Sequence, residues 1–236
     1  MHTTFNACNS ISRERTIVDK IMTAEEAVKI VKDGDTLLVG GFLMTGSAET
    51  LIKALLETST AKDLTIVSND TGTVDSNMIK VMKQGRVKKV HASYIGSNPM
   101  TGQMLIDDNN SVTLYPQGTL AEKIRCGGAG IAGFYTPVGV GTIIEEGKEK
   151  RPFDGRDYLL ETALRGNVAF VKGTVVDKFG NCFMRGTTKN FGAVMARAAD
   201  YVIVEAKKIV EVGELDPELV TIPGIFIDAI VQSEDI

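Results

Sequence analysis

Short apolar runs alternate along the chain with stretches in which apolar residues recur every three or four positions, and glycines separate many of them. The runs at residues 36–39 and 64–68 have no polar alternation, which predicts strands that are covered on both faces. Residues 48–57, AETLIKALLE, place leucine and isoleucine at helical spacing. Strands that alternate with helices predict an α/β protein with a largely parallel sheet flanked by helices.

Further helices and strands are predicted over the rest of the chain. A capping box of Thr23 and Glu26 begins the first helix. Residues 134–142, FYTPVGVGT, are predicted to form a loop. No Pro/Ser-rich linker interrupts the pattern, so we expect one domain over residues 21–236. Residues 1–20 are expected to form a poorly ordered leader. The remaining predicted helices lie at residues 76–85, 118–128 and 193–199, and the remaining strands at residues 87–96, 167–177 and 200–206.

The composition narrows the class of function. The formal net charge of −4 and the pI near 5.4 argue against general nucleic-acid binding, because such proteins present a basic face. No apolar run reaches the ~18 residues that span a bilayer, so no membrane association is expected. Residues 1–20 lack the apolar stretch of a secretory signal. Three widely spaced cysteines without a CxxC pair, and only two histidines, predict reduced thiols, a cytoplasmic protein and no metal site.

Three segments are candidates for a ligand site, since open α/β sheets bind ligands beyond the carboxyl ends of their strands. Residues 40–46, GGFLMTG, follow the first strand, and their glycines either let backbone N–H groups approach a ligand or form a tight turn. Asn69 and Asp70 follow the second strand and either face a ligand or form an Asx turn. Gln117 lies between a proline and a predicted helix, where it either enters a cleft or faces solvent.

Familiar catalytic motifs are missing from the sequence. There is no GxxxxGK[ST] phosphate loop, no GxSxG elbow and no HExxH pair, and His91 lies within a predicted strand. Residues 128–133 match GxGxxG, but a helix precedes them where the dinucleotide-binding fold requires a strand. The residues therefore indicate a ligand site without a self-contained catalytic set.

Several motifs taken together resemble the family I coenzyme A-transferases. DGDTLLVGGFLMTG at residues 33–46 resembles the family signature, except that Ala48 stands where the family has proline just after it. LTIVSNDTG, ASYIGSNPMTG, PQGTLAEKIRCGGAGIAGFYTPVGVGT and GTTKNF follow in the family's order, so the resemblance covers about residues 21–231. The SNDT segment at residues 68–71 is similar to the A (alpha) subunits of the bacterial acetate/butyrate–acetoacetate branch.

The resemblance implies an enzyme that moves CoA between short-chain carboxylic acids, with acyl-CoA as a substrate and no separate cofactor. In this family the acyl-CoA is attacked by a glutamate of the B (beta) subunit, and an acyl-glutamyl anhydride and then a glutamyl-CoA thioester form. We therefore expect a partner B subunit in an A2B2 heterotetramer, and no nucleophile in this chain. The resemblance assigns substrate or oxyanion contacts to Asn69 and Gln117, and the CoA channel to Gly40, Gly41, Phe42, Leu43, Met44, Thr45 and Gly46.

Other functions fit many of the same residues. The A subunit of a 3-oxoadipate or succinyl-CoA transferase would share the fold, and a non-catalytic α/β ligand-binding module would also use a glycine loop. Glu49, Glu122 and Glu205 lie in predicted helices or strands, and we expect structural roles for all three.

Overall fold

A computed structural model of the protein describes residues 19–108 and 110–234. Within these residues, strands and helices alternate as the sequence pattern predicts. The helices are α1 (Ala24–Ala27), α2 (Glu49–Thr58), α3 (Asn77–Lys83), α4 (Pro99–Asp107), α5 (Gln117–Ala129) and α6 (Gly192–Met195). The strands are β1 (Thr36–Val39), β2 (Leu64–Ser68), β3 (Val87–Ala92), β4 (Val112–Leu114), β5 (Gly133–Thr136), β6 (Lys150–Phe153), β7 (Arg156–Thr162), β8 (Gly166–Asp177), β9 (Cys182–Phe183), β10 (Ala199–Val210) and β11 (Ala229–Gln232).

The large sheet is parallel along its main path, in the order β11-β10-β8-β1-β2-β3-β4, and β9 pairs antiparallel with β8. β1 lies near its centre, where Leu38 is in register with Val67 of β2 and Ala169 of β8. Leu37 packs into the core beneath α1, α2 and α3, whereas Leu38 packs beneath α5 and α6. Both leucines are fully buried, as expected of a strand with helices on both faces. The predicted parallel α/β architecture is confirmed.

A smaller sheet lies beside the large one. β5, β7 and β6 form three antiparallel strands, so the predicted loop over residues 134–142 is wrong at its start. Asp154 and Gly155 connect β6 to β7 with φ of 48° and 76°, the two-residue turn whose twist matches that of the flanking strands. β5 is four residues long and depends on β7 for its pairing, so it leaves little periodicity in its own sequence.

A buried ion pair attaches α5 to this smaller sheet. Lys123 on α5 donates to the carboxylate of Glu161 on β7 at 3.0 Å, and both side chains are almost completely buried. Lys148 contacts the other oxygen of the same carboxylate. Burial raises the pKa of Glu161, but hydrogen bonds from the two ammonium groups outweigh it and leave that pKa below its usual value. The ion pair thereby holds the middle of α5 against the smaller sheet, while Leu120 and Ile124 of the same helix pack into the core of the large sheet.

The predicted leader lies largely outside the described residues, which begin at residue 19. Lys20 is part of the fold, because its carbonyl accepts a hydrogen bond from the N–H of Ile230 at 2.8 Å. Its ammonium donates to the carbonyl of Gly224, also at 2.8 Å. In the described part of the chain, no helix has the length and apolar character needed to cross a membrane. The same residues contain no group of three His, Cys, Asp or Glu side chains placed to hold a metal ion.

Candidate active site at the carboxyl edge of the sheet

The glycine loop after β1 closes into a tight turn. The N–H of Phe42 donates to the carbonyl of Thr45 at 3.0 Å, and the N–H of Thr45 donates to the carbonyl of Phe42 at 2.9 Å. Between them, Leu43 and Met44 have φ of 47° and 69°, in the left-handed region that bulky residues rarely adopt. Turns of this shape normally carry Asn-Gly or Gly-Gly. The loop therefore stores backbone strain, a feature that clusters at functional sites.

Two side chains from other segments hold this turn. Asp70, at the end of β2, accepts a hydrogen bond from the N–H of Leu43 at 3.0 Å. Asn190 accepts from the N–H of Gly41 at 3.1 Å and donates to the carbonyl of Thr45 at 2.9 Å. Asp70 is only 4% exposed, and burial raises the pKa of its carboxyl group.

These contacts occupy most of the backbone donors of the loop. The N–H of Gly40 donates to the carbonyl of Phe170 at 3.0 Å, and the N–H groups of residues 41–43 and 45 are bonded as described above. Among the described residues, the N–H groups of Met44 and Gly46 find no acceptor. Of the loop residues, Met44 and Gly46 therefore have backbone N–H groups available to a ligand, as predicted for this loop. Phe42, Leu43 and Thr45 offer their side chains instead.

Asn69 and Gln117 meet although 48 residues separate them in sequence. Gln117 Nε2 donates to Asn69 Oδ1 at 3.1 Å, and Ser93 Oγ donates to the same oxygen at 2.5 Å. Asn69 is 2% exposed, whereas Gln117, the first residue of α5, is exposed. Because Oδ1 already accepts two hydrogen bonds, Nδ2 is the group of Asn69 that can donate to a ligand.

The predicted residues line three adjoining spaces around the loop. The largest is an open cleft of about 460 Å³ whose walls include Phe42, Leu43, Thr45, Asn69 and Gln117, together with residues 187 and 190. Gly40, Gly41 and Met44 border a small enclosed space on the other side of the turn. Gly46, with Met44, borders a third space beside Lys172. The cleft therefore unites five of the nine predicted residues, and its walls contain amide groups, a threonine pair and apolar surface.

The three glutamates for which structural roles are expected have partners away from the cleft. Glu49 accepts a hydrogen bond from the N–H of Asn77 at 3.1 Å. Glu122 forms an ion pair with Arg125 at 2.7 Å on the outer part of α5. Glu205 is fully buried and accepts from the N–H of Thr50 at 2.9 Å, so it caps the first turn of α2. None of them lines the cleft, which agrees with the structural roles expected for them.

Three residues of the site make contacts that the sequence-based prediction does not give. Asp70 is predicted to face a ligand or form an Asx turn, and the structure makes it the acceptor for the N–H of Leu43 in the loop. Ser93 and Asn190 lie inside the motifs ASYIGSNPMTG and GTTKNF, so the motifs mark their segments without giving their contacts. The sequence signal for Ser93 and Asn190 is that each is a polar residue within one of these motifs.

The fold and the cleft define a class: an α/β protein with a ligand site at the carboxyl edge of a parallel sheet, supplied with amide donors and without a carboxylate among the described residues that line it. Residues 21–233 match the coenzyme A transferase family, and the chain belongs to that family. The resemblance stated from the motifs is therefore confirmed.

Individual relatives cover nearly the whole chain. It is 45% identical to the alpha subunit of the acetate CoA-transferase of Escherichia coli over 92% of this chain and 98% of that protein. It is 46% identical to the alpha subunit of the acetoacetyl-CoA:acetate/butyrate CoA transferase of Clostridium acetobutylicum, over 90% and 97% of the two chains. The A subunit of a succinyl-CoA:3-ketoacid coenzyme A transferase of Helicobacter pylori is 41% identical over 92% and 94%.

A solved structure supports the same fold. An acyl-CoA transferase of E. coli O157:H7, crystallised as a thioester complex with CoA, superposes with a TM-score of 0.80 at 26% sequence identity. The match covers 92% of this chain but only 48% of that longer protein. This chain thus spans about half of the acyl-CoA transferase and almost all of the separate alpha subunits.

Proposed function

We propose that this chain is the A subunit of a cytoplasmic short-chain 3-oxoacid CoA-transferase that moves CoA between an acyl-CoA and acetate, butyrate or acetoacetate. It acts with a B subunit in an A2B2 heterotetramer, and the attacking glutamate belongs to that partner. The alpha-subunit names of its E. coli and Clostridium relatives support the division of labour, as does their coverage of nearly the whole chain.

The composition of the cleft carries the proposal. Its walls offer Asn69 and Gln117 as hydrogen-bond donors and Phe42 and Leu43 as apolar surface, but no carboxylate among the described residues. Glu49, by contrast, is bonded on the other side of the loop, at the small enclosed space. A covalent transfer through glutamate in this cleft consequently requires a carboxylate from beyond the residues that the structure describes, and we assign it to the B subunit.

The two amide side chains are placed for electrostatic stabilisation. When the partner glutamate attacks the thioester, the carbonyl oxygen of the thioester gains negative charge. The Nδ2 group of Asn69 is the donor that can face this oxygen. The CoA thiolate leaves as the anhydride forms, then attacks the glutamyl carbonyl, which gives the glutamyl-CoA thioester and releases the first acid as its carboxylate. The second carboxylate reverses these steps: it displaces the thiolate to form a new anhydride, and the thiolate attacks the acyl carbonyl of that anhydride, which releases the new acyl-CoA and the free glutamate. Gln117 fixes the orientation of Asn69 and borders the same cleft.

A succinyl-CoA donor is the second candidate. The Helicobacter relative that carries succinyl-CoA in its name is 41% identical, only slightly less than the acetate and acetoacetate relatives. Acyl pockets distinguish acids by a few apolar contacts worth about 1–3 kcal/mol each. Overall identity therefore does not choose between these donors, and the reaction itself must be measured.

The decisive experiment is reconstitution. We expect the purified chain by itself to exchange no CoA between acids, and a mixture with a B-type subunit of the family to transfer CoA from acetoacetyl-CoA to acetate or butyrate. Succinyl-CoA and succinate, assayed in the same mixture, would identify the second candidate.

The control is the same B-type subunit without its partner, which should also be inactive. Turnover by the lone chain would contradict the proposal, because the nucleophile would then lie within it. A stable mixed complex that transfers no CoA with any of these acids would contradict it as well.

A further inference from the structure

The turn after β1 has no intrinsic preference for its observed shape. Leu43 and Met44 both adopt φ values that disfavour side chains, and neither is the glycine or asparagine that such turns normally carry. A strained segment of this kind persists only where surrounding contacts hold it. The contacts that hold this one are consequently part of the machinery of the cleft.

Asp70 contacts a strained residue itself, whereas Asn190 contacts residues on either side of the strained pair. The carboxylate of Asp70 reaches across from the end of β2 and accepts the N–H of Leu43, the first strained residue. The enclosed space that Asp70 borders measures about 10 Å³, which is near the lower limit for one water molecule. Solvent has little room on that side of the turn, where the carboxylate of Asp70 accepts the N–H of Leu43.

The hydrogen bond between Asp70 and Leu43 shapes the cleft and does not stabilise the hydrophobic core. Burial raises the pKa of Asp70, so the fold carries an unfavourable buried carboxyl group at this position. A buried apolar residue would fill the same place without that cost. What the carboxylate adds is an acceptor for the turn that brings Phe42, Leu43 and Thr45 to the wall of the cleft.

We infer that Asp70 is a positioning residue: its carboxylate holds the Phe42–Thr45 turn in a strained shape, and without it the turn relaxes and withdraws its side chains from the cleft. The catalytic part of this inference rests on the proposed transferase function. The conformational part does not, because it concerns the turn in the isolated chain.

The conformational test is amide hydrogen exchange of Phe42, Leu43 and Thr45, the hydrogen-bonded amides of the turn, in the isolated chain. Asp70→Ala should accelerate exchange in this segment at least tenfold, and Asp70→Asn should restore most of the protection because its amide oxygen can accept the same bond. Asp75→Ala is the matched control, since Asp75 is an exposed aspartate on the same loop. Unchanged protection in Asp70→Ala would overturn the inference whatever the chain's activity.

The catalytic test uses the complex reconstituted with its B-type partner. Asp70→Ala should lower kcat/KM for acyl-CoA at least tenfold, and Asp70→Asn should lower it less than threefold. A glycine at position 44 removes the penalty of positive φ, so Asp70→Ala should cost clearly less in a Met44→Gly background than in the wild type.

The glycine background separates positioning from direct contact with substrate. If Asp70 touched the substrate, its removal would cost the same in both backgrounds, and that result would overturn the inference. Wild-type activity in Asp70→Ala would overturn it too. An inactive wild-type mixture would count against the proposed function alone, and the exchange data would still decide the role of Asp70.

Discussion

Asn69 shows how a single side chain can be oriented by its neighbours. Ser93 and Gln117 both hydrogen-bond Oδ1 of Asn69, so two neighbouring side chains fix the position of this amide. The bond from Gln117 also ties the start of α5 to the end of β2. This orientation is worth more to a reaction than to stability, because it directs a donor into the cleft before substrate arrives.

Replacing Gln117 by alanine tests this arrangement. In the reconstituted complex we expect kcat to fall by up to about 10²–10³-fold, the loss found when an oxyanion donor is removed, because the Nδ2 group of Asn69 is then no longer held in place. Assembly with the B subunit should be unchanged. Steady-state kinetics and size-exclusion chromatography measure the two effects.

Gln103→Ala provides the control for that substitution. Gln103 is exposed on α4 and hydrogen-bonds Asp107 on its own helix, so its removal should leave kcat unaltered. An equal rate for wild type and Gln117→Ala would remove Gln117 from the site.

At the scale of elements, α5 is the part that joins the cleft to both sheets. Its Gly127 lies directly against the chain that follows β7: a Cβ there would lie 2.1 Å from the carbonyl oxygen of Leu164. Leu164 also donates its N–H to the carbonyl of Lys123 at 2.9 Å. The close approach of backbone to helix therefore requires glycine at this position.

Gly127→Ala should destabilise the protein by about 1–3 kcal/mol or more, because the backbone of Leu164 must move to accept a methyl group. Gly102→Ala is the matched control. Gly102 lies within α4 with no atom near the place of its Cβ, so alanine there should stabilise by about 1 kcal/mol through helix propensity. Chemical denaturation distinguishes the two signs, and equal effects would contradict this account of α5.

The sequence predicts the elements whose pattern is carried locally. β1 and α2 have a continuous apolar run and a helical repeat, and both lie within about a residue of their predicted bounds. β5 does not, since its pairing depends on β7, more than 20 residues away. The Asp-Gly pair at residues 154–155 was a local signal for the β6–β7 hairpin, but nothing in its sequence indicates which strand lies beside it.

The site likewise has contacts that the sequence predicts and contacts that it does not. That Asn69 and Gln117 converge follows from the general rule that ligand groups gather beyond the carboxyl ends of parallel strands. No such rule predicts that Asp70 and Asn190 both hydrogen-bond the turn after β1. Their bonds depend on how three separate loops are set against one another, to within a fraction of an ångström.

For the molecule as a whole, His91 connects the large sheet to Tyr115, which lies in the segment that leads into α5. His91 lies in β3 as predicted, and its Nδ1 is 3.1 Å from the hydroxyl of Tyr115. Burial, with smaller contributions from the charges of Lys89 and Lys123, lowers the pKa of His91 from 6.5 to about 4. The folded protein thus holds this imidazole neutral where the unfolded chain would protonate it.

The sign of the resulting pH dependence is definite. Since the folded pKa is the lower one, the contribution of His91 is fully present above about pH 6.5 and is lost as the pH falls towards 4. Allowing for partial exposure of the ring, we expect a loss on the order of 2 kcal/mol by about pH 4.5. Urea denaturation of wild type and His91→Asn at neutral pH and at that acidic pH measures it. Parallel stability changes in the two proteins would contradict the assignment to His91.

The central place of β1 has a consequence for synthesis. The cleft needs the loop after β1, the end of β2, the start of α5 and Asn190, and β1 pairs with β8 across about 130 residues of sequence. Such distant pairing is slow to form, because a long loop must close before any contact repays it. A ribosome-bound chain therefore has to release more than three quarters of its length before the walls of the cleft can come together, so a formed cleft reports that β1, β8 and Asn190 are already in place.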